Sequence, residues 1–155
     1  MSGKLQVNIY KGLPMVLEKI NAVALAAVIG KSSSWLGNKL HHNVIKGKTQ
    51  EFVLSDMPLI NNGLSILGDE IMGSLLVYDA NRDKVITQIK ELRKLIYIPY
   101  ICFEVLKVEK MWFDRRMRPR SPDGKATSFK EDDILRINMG IMQIANELKS
   151  IELVL

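Results

Sequence analysis

The sequence predicts a mostly α protein built from two tandem modules, residues 1–77 and 78–155. Each runs short helix, tight turn, second short helix, short β-hairpin and longer helix. Three observations predict it. Residues 35–71 lie over residues 112–148 at a constant offset of 77 with no gap, giving nine identities in 37 positions, where about two arise by chance at average residue usage. Apolar residues recur at i, i+4, i+7 and i+11 in both copies of the longest element, the spacing of one buried helical stripe. Capping and turn residues such as Asn21, Gly30, Ser32 and Gly47 fall between the periodic segments.

Gly12-Leu13-Pro14 opens the first copy, and Pro14 suits the first turn of a helix carrying Met15, Val16, Leu17 and Ile20. Asn21 suits the N-cap of a second short helix over 23–29, which Gly30 stops by taking positive φ. Ser32, Ser33 and Ser34 follow, each suited to cap a third helix bearing Trp35, Leu36 and Leu40. Leu36 and Leu40 share a face and point to the core. Residues 44–49 read as a short hairpin around Gly47. Ser55-Asp56 then begins a longer helix, with Pro58 confined to its first turn. Ile60, Leu64, Leu67 and Ile71 form its stripe, and Gly63 sits within it to admit a neighbouring helix or the repeat's tryptophan close to the backbone.

Tyr78-Asp79-Ala80-Asn81 separates the copies. A helix over 82–95 follows, with Val85, Ile89, Leu92 and Ile96 on one face. Ile98-Pro99 breaks it and starts the counterpart of the first copy's second helix. Asp123-Gly124, a strong hairpin dipeptide, matches the first copy's turn. Ile137, Ile141, Ile144 and Leu148 repeat the stripe, extended by Ile151, with Gly140 in the place of Gly63. Trp35 and Trp112 are expected as core anchors. Met111, Met117, Met139 and Met142 are expected to fill gaps in the second core.

Net charge is +5, and its placement is uneven. Residues 107–130 hold eight basic and three acidic residues, and the equivalent 30–53 hold four basic and one acidic. Positive charge thus collects in the same part of each copy, the footprint of a polyanion-binding surface. No apolar run reaches the roughly 18 residues of a membrane span, and the N-terminus lacks a signal-peptide pattern. A single cysteine, Cys102, excludes an internal disulfide framework, fits a cytoplasmic setting and suits a small buried side chain. Phosphate-loop, dinucleotide, metalloprotease and nucleophile-elbow motifs are all missing, so no enzyme and no cofactor is expected. His41-His42 are adjacent and point apart on a helix, without a finger-like partner set, so no metal site is expected.

The segment 25–36 is similar to the helix-turn-helix of the Cro and phage-repressor class, with Ala26, Gly30 and Leu36 at its packing and turn positions. Lys107 stands where the second copy's turn glycine belongs. The wider pattern of Gly30 to Leu36, Lys39-Leu40, Val44, Gly47-Lys48 and Phe52 resembles a family of small uncharacterised domains encoded near phage-like and mobile elements. The resemblance covers about residues 21–75 and, less closely, 98–152. It implies a helix-turn-helix-like fold and carries the expectation of double-stranded DNA as partner and a role in transcription regulation.

On that reading the third helix of each copy presents the contact residues. Ser33, Ser34, Asn38, Lys39 and His41 are the first copy's candidates, and Lys110, Arg115, Arg116 and Arg118 the second's. Arg is shaped to chelate guanine and Asn adenine, while Ser and His serve phosphates or base edges. Lys46, Lys48, Arg120 and Lys125 in the hairpins are expected to hold phosphates without reading sequence. The chain would act as a pseudo-dimer, as a monomer or weak homodimer, its third helices entering major grooves about one turn apart. The alternative is a non-enzymatic interaction adaptor of mobile-element origin on the same scaffold, with an acidic protein partner. Glu109 and Asp114 near the second contact face weigh against DNA there.

Overall fold

The apolar stripes settle the centre of the molecule. In the computed structural model, which describes residues 3–118 and 127–155, Ile60, Leu64, Leu67 and Ile71 are all fully buried along α4, Asp56–Met72. Ile137, Ile141, Ile144 and Leu148 are buried along α8, Glu131–Ser150. These two helices make the most extensive contact in the protein. They cross where Gly68 meets Ala145, two residues 77 apart. A Cβ added at Gly68 would stand 3.1 Å from the Ala145 carbonyl oxygen and 2.7 Å from Lys149 Cγ, so glycine lets the helices come this close without displacing either.

Each long helix also holds the chain that follows the other. Asn61 of α4 donates from Nδ2 to the Leu153 carbonyl (2.9 Å) and accepts the Leu153 N–H (2.8 Å). Asn138 of α8 does the same for Leu76, at 2.8 and 2.7 Å. Both partners of the second pair lie 77 residues from their counterparts in the first, and the two clamps cross over between the halves. Buried apolar side chains from both halves accordingly form one cluster rather than two separate cores.

Shorter helices cover this pair. Asn21 caps α2, Ala22–Val28, accepting from Val23 N, and Gly30 takes φ +73° beyond its end, as the sequence leads one to expect. Ser32 caps α3, Ser33–Leu40. The counterpart of α2 begins as α6, Ile98–Tyr100, and continues as a π-helical segment, Ile101–Leu106; Lys107 then adopts the left-handed conformation of Gly30, at φ +56°. α7, Lys110–Met117, occupies the residues 77 beyond α3. The strands β2, Val44–Ile45, and β3, Lys48–Thr49, pair antiparallel through Lys46 and Gly47, both at positive φ, the geometry of a tight hairpin turn. The Asp123-Gly124 counterpart lies outside the described residues.

Other expectations need correction. Pro14 does not open a helix: α1, Ile9–Leu17, contains it, because Asn8 supplies the cap and Ile9, Leu13 and Val16 share the buried face. Ile151 is not the last residue of a helical stripe but the first of a strand, β4, Ile151–Val154, which pairs in parallel with β1, Leu5–Asn8. α1 lies close to this strand, Gly12 being within 2.6 Å, by its missing Cβ, of Leu153 Cδ2. The helix expected over 82–95 is α5, Arg82–Leu92. It stops early because Leu95 and Ile96 turn to meet the first half: Asn21 N donates to Leu95 O and Tyr97 N to Lys19 O, around an antiparallel bridge between Ile20 and Ile96. Met111 and Met139 do not fill core gaps; they are 55% and 51% exposed, on the outer faces of α7 and α8. No described helix is long and apolar enough to cross a membrane.

Candidate nucleic-acid interface

α3 is fixed from beneath by its apolar residues and from above by its one cation, Lys39. Leu36 is buried and Trp35 half-buried, its ring edge-on to Phe52 at 6.1 Å. Lys39 lies 4.7 Å over the Trp35 ring and pairs with Asp56 at 2.8 Å, while the same carboxylate oxygen accepts the Val53 N–H. Lys39 is thus committed to holding α3 on the start of α4, and Asp56 is a buried acid with its hydrogen bonds met. Asn38 is half-buried, and its Oδ1 accepts from Asn43 Nδ2 at 2.9 Å, which braces the approach to the hairpin.

Ser33, Ser34, His41, Lys46 and Lys48 are exposed. The hairpin that carries the two lysines stands on an aromatic base. Tyr10 stacks on His42 with centroids 4.7 Å apart and accepts the Phe52 N–H through its hydroxyl at 2.9 Å. His42 takes φ +53° and, though exposed like His41, stacks its ring on Tyr10. Among the described residues, no group of three metal-ligating side chains gathers there or elsewhere.

The second half reproduces the same contacts with other residue types. Trp112 is edge-on to Phe129 at 5.9 Å, and Phe113 is buried where Leu36 is. Arg116 takes the place of Lys39: its guanidinium lies 3.7 Å from the Trp112 ring centroid and donates to Trp112 O at 2.9 Å. Burial lowers its pKa, with the Asp133 carboxylate opposing that shift. Asp133 in turn accepts the Lys130 N–H at 2.8 Å, as Asp56 accepts that of Val53. Lys110, Arg115 and Arg118 are exposed. Lys110 is 3.9 Å from Asp114, and among the described residues Arg115 reaches only Met111 Sδ. Arg120 and Lys125 lie outside the described residues.

Two contributors escape a reading of the sequence. Tyr10 precedes both repeat copies as aligned, so nothing in the internal comparison marks it. Arg82 donates to the carbonyls of Thr127, Arg116 and Arg118, tying the end of α7 to the chain entering α8. A single arginine at a helix start carries no signal of such a role. The candidates therefore divide. Ser33, Ser34, His41, Lys46, Lys48, Lys110, Arg115 and Arg118 face solvent; Lys39 and Arg116 bind the tryptophans; Asn38 braces the hairpin. Comparison with models of known protein families, with curated proteins and with solved structures finds no match to this chain.

Proposed function

We propose that the chain is a non-enzymatic, double-stranded DNA-binding protein whose two helix-turn-helix-like modules act as a pseudo-dimer. α3 with its hairpin forms one contact surface and α7 with Arg118 at its end the other. One observation carries the reading: residues 31–50 contain no acidic residue, and the lysines at the tip of the hairpin are exposed and, among the described residues, without an ion pair. Cations held away from carboxylates keep their full attraction for phosphates and release counterions on binding. Arg115 on the equivalent helix and Arg118 just past its end supply exposed guanidinium groups, the side chain best suited to guanine edges.

The test is anisotropy of a labelled duplex at about 50 mM salt with two double variants. Lys46→Ala with Lys48→Ala, and Arg115→Ala with Arg118→Ala, should each weaken binding and flatten its salt dependence by about two contacts. Arg116 is left intact because its removal would unseat Trp112. Unaltered binding in both variants would overturn the reading.

A second reading, capture of an acidic protein partner, draws on Val44 and Ile45, 66% and 39% exposed on the same hairpin. Apolar side chains beside cations suit an acidic-apolar surface. No duplex binding by the parent chain, with polyglutamate retained and then lost on Lys46→Ala with Lys48→Ala, would favour it.

A further inference from the structure

We infer that the cleft at the seam between the two halves is a binding site for a small organic anion with an apolar body. The cleft has a volume of about 730 Å³, within the ~300–1,000 Å³ usual for small-molecule sites, which often form where two units of structure meet. Ile20 and Ile96, joined by the antiparallel bridge, line it, with Leu17 and Ile98 beside them. Tyr97 is 53% exposed and also lines the cleft, offering a ring face.

The polar groups favour an anion. Arg93 and Lys110 enter the lining against one carboxylate, Asp114. Lys110 forms a loose ion pair with that carboxylate at 3.9 Å, beyond hydrogen-bond reach, and the Arg93 side chain makes no ion pair or hydrogen bond among the described residues. Asn21 also lines the cleft; its Oδ1 accepts from Val23 N, and its amide also carries a donor, Nδ2, suited to an anion. A guanidinium fork and an ammonium above an apolar floor suit a carboxylate, sulfonate or phosphate monoester on a ring or branched body. The site does not depend on DNA binding.

The experiment titrates the folded chain with 8-anilinonaphthalene-1-sulfonate, which has an apolar ring body and one anionic group. The neutral N-phenyl-1-naphthylamine is the control. One saturable equivalent of the sulfonate is expected, with the neutral analogue at least about tenfold weaker, as a charge-assisted contact requires. Arg93→Glu should weaken the sulfonate by about tenfold or more and Lys110→Gln by a smaller factor. Lys46→Ala with Lys48→Ala should leave it unchanged. Arg93 is exposed, so its variant retains the fold, which circular dichroism checks. Equal affinity for the neutral analogue, more than one equivalent bound, or indifference to Arg93→Glu would each overturn the site. Loss of duplex binding would not.

Discussion

Gly63 and Gly140 show how far a single residue can be read before the fold is known. Glycine in mid-helix costs about 1 kcal/mol relative to alanine, so its presence at matching places calls for a close neighbour. A Cβ at Gly63 would lie 2.3 Å from Ile29 Cγ2, and one at Gly140 2.8 Å from Val105 Cγ2. The expected neighbouring helix is present in both cases; the tryptophans pack elsewhere. Gly63→Ala should therefore destabilise, by about 1–3 kcal/mol in urea unfolding, because a β-branched neighbour on a packed helix cannot swing clear. Unchanged or raised stability would contradict the packing. Cys102 was likewise legible as a buried side chain. Burial first, then the Asp114 carboxylate, pushes its thiol up from an ordinary value near 9 to about 11. A thiol-disulfide reagent at pH 8 should react with the unfolded chain and not the native one. Because the folded pKa is the higher, this group's contribution to stability is complete below about pH 9 and is lost as pH rises toward 11. Native reactivity at pH 8 matching that of the unfolded chain would refute the burial. What could not be read was Lys107, whose left-handed backbone gives no sign in a lysine, although the internal repeat aligned it with Gly30.

Elements were legible where the pattern was local. The hairpin, α2, α3, α4 and the start of α8 each announce themselves by a cap, a turn residue or a stripe. β1 and β4 do not, because four-residue strands paired from opposite ends of the chain carry almost no local signal. Three residues after Leu148 is a helical spacing, so Ile151 reads as part of the helix; Leu153, buried two residues later, reveals the period of a strand. The asparagines that hold this strand and its counterpart were visible only as repeat identities. Their physical role is satisfying backbone groups that no neighbouring strand reaches, two hydrogen bonds from each amide. Asn61→Ala and Asn138→Ala should each cost about 2 kcal/mol, from two bonds worth roughly 1 kcal/mol apiece. Hydrogen exchange should quicken at Leu153 and Leu76 respectively. A variant whose stability and exchange match the parent would show that the clamps hold nothing.

At the scale of the whole molecule, the duplication indicated which contacts would recur but not where the second set would lie. Its halves share one core, join at the Gly68–Ala145 crossing and exchange their asparagine clamps. No spacing rule encodes that exchange, since it depends on contacts between residues far apart in sequence. The candidate surface was legible as a charge pattern. Its division into exposed cations and cations spent on tryptophan was not, because Lys39 and Lys46 read alike until Asp56 and Trp35 are seen beside one of them. The polyanion reading stands or falls on the unspent ones. The most direct measurement is the affinity of the intact chain for duplex DNA across a salt series. Neutralising about five phosphates predicts a log–log slope of roughly −4 or steeper. A flat slope, or no binding at about 50 mM salt, would contradict it.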